Sequence, residues 1–165
     1  IASIGLLINK EYMILKLINK DTLILGEFKF KCSIGRGGVK INKFEGDGST
    51  PKGIYKLGKL YWRKDRLKKP QTKLICKSIN KKMIWCNNSK SIHYNKETEI
   101  SKYCKSEKMY RMDYKYNYLI NILYNSNKIK KGRGSAIFLH LTKNYNKTSG
   151  CIAVKINDFL VIAKL

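Results

Sequence analysis

Acidic residues are scarce in this chain. Eleven Asp and Glu stand against thirty-five Lys and Arg, for a formal net charge of +24. Histidine is scarcer, with only His93 and His140. Without paired histidines or a C-x-x-C, no zinc-site spacing is present. Neither a Walker motif nor G-x-G-x-x-G occurs, so the two common glycine-loop signatures of nucleotide binding are missing. No run reaches the roughly 18 apolar residues of a membrane span. The opening "IASIGLLI" reads as a first strand or as the remnant of a trimmed export signal, without a basic lead-in. Arginine supplies 5 of the 35 basic residues. A nucleic-acid site more often concentrates its charge and uses more arginine, so no specific nucleic-acid partner is expected. The spread lysines fit either a solvated surface or attraction to a polyanion, with nucleic acid, membrane and cell wall as the candidates.

What is present is an ordinary globular composition, 43% hydrophobic over 165 residues. That is enough for one domain, residues 1–165, with a real core. The first forty residues are β-rich: "EYMILKLI" and "TLILGEFKFKCSIG" flank a turn-like Asn19-Lys20-Asp21. "GRGGVKINKFEGDGSTPKG" is too dense in glycine for regular structure and reads as ordered turns. Further on, "YLINILY", "SAIFLHL" and "CIAV" read as short strands. Helical character is expected over 106–112, capped by Ser106, and over 157–165, capped by Asn157. The fold class is therefore mostly β with minor α.

Five cysteines, Cys32, Cys76, Cys86, Cys104 and Cys151, leave at least one thiol free or paired between chains. Cys151 alone directly follows a glycine, Gly150, and lies eleven positions after His140. Two strands joined by a short loop would bring His140 to Cys151. A free thiol is only a few per cent thiolate at neutral pH, and a histidine within reach takes its proton to leave a thiolate–imidazolium pair. Gly150, with no Cβ, would let a carbonyl approach the N–H groups around Cys151, as in an oxyanion hole. Spacing alone equally allows a small buried hydrophobe beside a satisfied core histidine. His93, in "SIHYN", reads as a loop residue. Lys143, Lys147 and Arg133 are the other nearby groups able to activate the thiol.

"GSAIFLHL…TSGCIAV" resembles the active-site segment of the L,D-transpeptidase (YkuD-type) family. "CSIGRGGVKINKFEGDGSTPKGIYKL" is similar to that family's block of glycines ending in EGDG-x-TP-x-G. "YWRKDR", "WCNN", Tyr94-Asn95 and "MDYKYNYLINILYN" follow in the order of a compact subgroup familiar from proteobacteria. The resemblance implies a mixed-sheet β-sandwich catalytic domain with Cys151 as nucleophile and His140 as base. Ser149 and Gly150 would shape the oxyanion hole, and Arg63, Asp65, Arg66, Tyr94, Glu45 and Asp47 would line the site. It also implies an acyltransferase that cross-links peptidoglycan stem peptides, needs no metal or other cofactor, is acylated by carbapenems, and works in the periplasm or cell envelope. Departures are Ser149 where the common motif has His, Ala153 where many members have Arg, and a shorter His-to-Cys interval. An L,D-carboxypeptidase or a hydrolase of cross-links or protein–wall bonds would use the same two residues. A basic polymer-binding module would use neither.

Overall fold

The structure, a computed structural model, describes residues 2–8, 11–100 and 106–165. Fourteen strands and one helix are described. They are β1 Ala2–Ile8, β2 Glu11–Asn19, β3 Thr22–Leu25, β4 Phe28–Lys31, β5 Val39–Lys40, β6 Thr50–Pro51 and β7 Ile54–Trp62. They continue as β8 Cys76–Ser78, β9 Met83–Cys86, β10 Glu97–Glu99, β11 Ser106–Lys108, β12 Tyr118–Ile122, β13 Phe138–Leu141, β14 Ile152–Val154 and α1 Ile156–Lys164. A large sheet runs β14-β13-β12-β7-β1-β2-β3-β4, with β8 also paired to β7. Beside it lie a three-stranded sheet, β10-β9-β11, and the two-stranded β5-β6.

Alternation explains the outer part of the large sheet. In β2, Leu15 and Leu17 are buried while Lys16 and Ile18 are exposed, and in β3 Leu23 and Leu25 are buried. The period of two puts one face on the core. At the other end, β12, β13 and β14 are buried at every position. These strands have cores on both faces, which is why they read as unbroken apolar runs. Leu139, Leu141, Ile152 and Val154 join Leu15, Leu23 and Phe159 in one core. Phe138, Cys151, Leu119, Trp85 and Met109 form the other.

The expected helix over 106–112 is absent. Ser106–Lys108 is β11, antiparallel to β9, with Ser106 opposite Cys86. The Met109 N–H continues this docking onto the Met83 carbonyl, and the Met109 side chain is fully buried. Pairing to a ready strand edge overrides the weak helical propensity of so short a segment. The closing helix is present one residue earlier than expected, and Asn157 is not its cap. Lys155, in an extended conformation, holds the N-cap position with no side-chain cap bond, while Asp158 lies in the first turn. A carboxylate there complements the helix dipole. Phe159, Ile162 and Ala163 anchor the helix to the first core.

Candidate active site

His140 and Cys151 are brought together by parallel pairing. Strand β13 runs beside β14 with Leu139 opposite Ile152 and His140 opposite Ala153. Alternation puts Phe138 and His140 on one face, together with Cys151 and Ala153. Cys151, one residue before β14, is therefore diagonal to His140 on the next strand. Both line one cavity of about 540 Å³.

The imidazole is fixed by a backbone acceptor. Its Nδ1 lies 3.0 Å from the Leu141 carbonyl oxygen. A carbonyl only accepts, so in the neutral ring the proton is on Nδ1 and Nε2 keeps its lone pair. The ring also meets Tyr116 edge to face, with centroids 5.4 Å apart. His140 is 6% exposed, and burial lowers its pKa to about 4, against the raising effect of the Leu141 carbonyl.

The thiol donates to the Ala136 carbonyl at 3.3 Å and accepts the Phe138 N–H at 3.4 Å. Burial pushes the Cys151 thiol up to about 12, although the Phe138 N–H acts in the opposite direction. Among the described residues no hydrogen bond joins this thiol to the imidazole. Burial thus favours a neutral thiol and a neutral imidazole over the expected thiolate–imidazolium pair. The reason is desolvation, which penalises both charged forms.

The backbone around the thiol is clamped from several sides. Ala136 has φ 53°, a left-handed conformation, and β13 begins only at Phe138 rather than at Ser135. Its N–H donates to Asn95 Oδ1 at 3.1 Å, and that oxygen also accepts the Trp85 indole N–H at 2.9 Å. The Asn95 amide donates to the Tyr124 and Asn125 carbonyls, both at 2.9 Å. On the other side, Thr148 Oγ1 donates to the Cys151 carbonyl at 2.5 Å and accepts the Gly150 N–H at 3.1 Å. Thr50 Oγ1 donates to the Gly150 carbonyl at 2.9 Å. Gly150 has φ 136°, and a Cβ there would come within 2.8 Å of the Ser49 carbonyl oxygen. The glycine-rich stretch is therefore the floor on which the turn carrying Cys151 rests.

Of the six residues expected to line the site, Glu45 does so. Its carboxylate accepts the Tyr94 hydroxyl at 2.5 Å and the Ser135 hydroxyl at 2.7 Å. Tyr94 stands behind it and its oxygen accepts the Gly134 N–H. Asp47 lies away from the cavity, paired at 2.5 Å with Lys43. Arg63 is buried, with Nε and Nη2 on Asp65 at 2.8 and 2.7 Å and Nη1 on the Arg111 carbonyl. Arg66 donates to the Met112 and Asp113 carbonyls and to Asn117. Arg63 and Arg66 thereby hold the 109–117 segment, which carries Arg111 and Tyr116 to the cavity wall. Ser149 also lines the cavity.

Sequence reasoning missed Arg36, Glu107, Arg111, Tyr116 and Thr148, all of which line the cavity. Glu107 accepts from Tyr116 and from Arg111, at 3.1 and 3.0 Å. Arg111 also pairs with Asp113 at 2.6 Å. Arg36 stood in the glycine-rich segment and Thr148 beside the Gly150-Cys151 pair, but neither position alone signals a role. Among the described residues no group of three or more His, Cys, Asp or Glu could hold a metal ion. Cys32 and Cys76 are free, and Cys86 is disulfide-bonded. Cys104 and part of the opening segment lie outside the described residues.

The family model for the L,D-transpeptidase catalytic domain, YkuD, matches residues 4–165. Searches of the curated proteins and of the solved structures gave no match.

Proposed function

The chain belongs to the L,D-transpeptidase catalytic domain family, and on that premise we propose that residues 1–165 form one domain, a cysteine acyltransferase that cross-links peptidoglycan stem peptides. The observation that carries this reading is the placement of Cys151 and His140 on one sheet face, in one cavity, with Nδ1–H on the Leu141 carbonyl. That hydrogen bond keeps the Nε2 lone pair for the thiol proton.

The reaction starts from neutral groups. As the sulfur attacks the carbonyl carbon of an L-centre to D-centre amide, His140 Nε2 takes the thiol proton. Charge then develops on the carbonyl oxygen, opposite the proton now on the ring. The Gly150 N–H is engaged by Thr148 Oγ1, so in this reading the Cys151 N–H is the oxyanion donor, placed by the turn through Ser149 and Gly150. A single donor of this kind is worth about 3–4 kcal/mol in the transition state. The C–N bond breaks, the departing amine takes the proton from His140, and a thioester remains. An amine from a second stem attacks the thioester carbon and gives a proton to His140 Nε2, the C–S bond breaks, and His140 passes that proton to the departing sulfur. Site and substrate belong to the periplasm or cell envelope, and carbapenems would acylate the same sulfur.

Mass spectrometry of stem-peptide products tests this. A donor tetrapeptide with an acceptor stem should give a cross-linked dimer and free D-amino acid with wild type, and neither with Cys151→Ala. Free D-amino acid without the dimer would make the protein an L,D-carboxypeptidase. Equal products from Cys151→Ala would remove the cysteine from the chemistry.

A further inference from the structure

Several charged groups in the cavity wall already have an ion-pair partner. Lys43 is paired with Asp47, and Arg111 with Glu107 and Asp113. Arg36 is different. It lines the cavity, is exposed, and has no carboxylate partner among the described residues. Yet it is a held side chain rather than a loose one. Its N–H donates to the Thr148 carbonyl at 2.9 Å, which ties the residue to the nucleophile turn. Its Nη1 lies 3.4 Å from Ser149 Oγ, two residues before Cys151. Its stem lies across Gly48, where a Cβ would come within 3.1 Å of Cγ and 3.2 Å of Nε. Gly48 has φ +67°, so the absence of a side chain there suits both the backbone turn and the arginine laid over it.

A guanidinium has five donors in a planar fork that matches a carboxylate bidentately. One weak contact to a hydroxyl leaves most of those donors for a ligand. Among the described residues, Lys115 and Lys147 also line the cavity without ion pairs, so the local field favours an anion. We propose that Arg36 anchors a carboxylate of the donor peptide beside the nucleophile, and so selects donors that carry a free carboxylate next to the scissile amide. This role rests on the cross-linking function proposed for the site. The donor offers two carboxylates: the terminal one on the departing D-residue and the one on the side chain of the diamino acid. Both would be recognised by the same fork.

The test uses binding, so that it does not depend on turnover. Donor tetrapeptides are titrated calorimetrically against Cys151→Ala and against Cys151→Ala with Arg36→Gln. One peptide has both carboxylates free, one has the terminal carboxylate amidated, and one has the side-chain carboxylate amidated. Loss of a charge-assisted bidentate contact predicts that Arg36→Gln weakens binding of the free peptide by about tenfold or more. One amidated peptide, identifying the anchored carboxylate, should bind weakly to both proteins alike. Arg36→Lys should retain part of the affinity. Melting temperatures of the variants should agree within a few degrees, because the Arg36 side chain is exposed. Equal affinity with and without Arg36, or an Arg36 effect of the same size on all three peptides, would overturn the proposal. If Arg36-dependent binding is found but no donor acylates Cys151 in wild type, the acyltransferase function fails and the anchor stands. If donors acylate Cys151 and bind without any Arg36 dependence, the anchor fails and the acyltransferase function stands.

Discussion

At the residue scale, the His140 proton bears on stability as well as on the proposed chemistry. Its folded pKa of about 4 lies below the 6.5 of a free histidine. Between those values the unfolded chain binds the proton and the folded one does not. Stability from this residue is therefore present above about pH 6.5 and is lost as pH falls toward 4, by up to about 3 kcal/mol. His140→Asn should flatten that part of the stability-against-pH curve in urea titrations. At pH 7 it should unfold within about 1–2 kcal/mol of wild type, since it loses one buried hydrogen bond to Leu141. Acylation of Cys151 should fall by at least about 100-fold, the low end for general acid–base catalysis. An unchanged pH profile would mean that the imidazole is charged or exposed. Unchanged acylation would pass the role of base to another group. That these two residues meet in one cavity was legible in the sequence, because a glycine before one cysteine and a nearby histidine are local facts. Their neutral resting state was not, because it depends on how much water the surrounding cores exclude.

At the scale of elements, the turn from Thr148 to Cys151 and the start of β13 work as one unit. Gly150 is where that unit tolerates least change. An added Cβ would both strain φ 136° and press on the Ser49 carbonyl at 2.8 Å. Backbone strain of this kind costs about 1–3 kcal/mol before any clash. Gly150→Ala should thus lower the urea midpoint and cut acylation, whereas Gly132→Ala, with φ 77° but open space around its Cβ, should lose stability to strain alone and keep acylation. Equal acylation by both variants would show that the turn geometry is not critical. Strands β2, β3, β13 and β14 were legible from alternation and apolar runs. Strand β11 was not, because its conformation is dictated by the free edge of β9, far away in sequence. The roles of Arg63 and Arg66 were hidden for a similar reason. Their motif marks them as notable, but only the fold shows that they grip the segment bearing Arg111 and Tyr116.

At the scale of the molecule, the basic surface is expected to act on the same substrate class as the proposed site, in a different way. Asp47, Asp65, Glu97, Glu107 and Asp113 are each engaged by a cation. The net charge of +24 already counts all eleven acidic groups, so most basic side chains have no acidic counterpart. Peptidoglycan stems carry free carboxylates, so attraction to the polymer should be largely electrostatic. Binding to sacculi should weaken steeply from about 0.01 to 0.2 M salt, as the screening length drops from about 30 Å to under 10 Å. Turnover of a small soluble stem peptide should change far less. Salt-insensitive binding to sacculi would assign the basic surface another purpose. That Cys151 carries the acyl group is tested most directly by trapping the intermediate. Wild type is mixed with a donor tetrapeptide, quenched in acid within the first turnover, and mapped by mass spectrometry. The expected result is an adduct of the acyl portion, without its terminal D-residue, on the peptide containing Cys151 and not on those with Cys32 or the more accessible Cys76. An adduct on another cysteine, or product formed at the wild-type rate by Cys151→Ala, would contradict it.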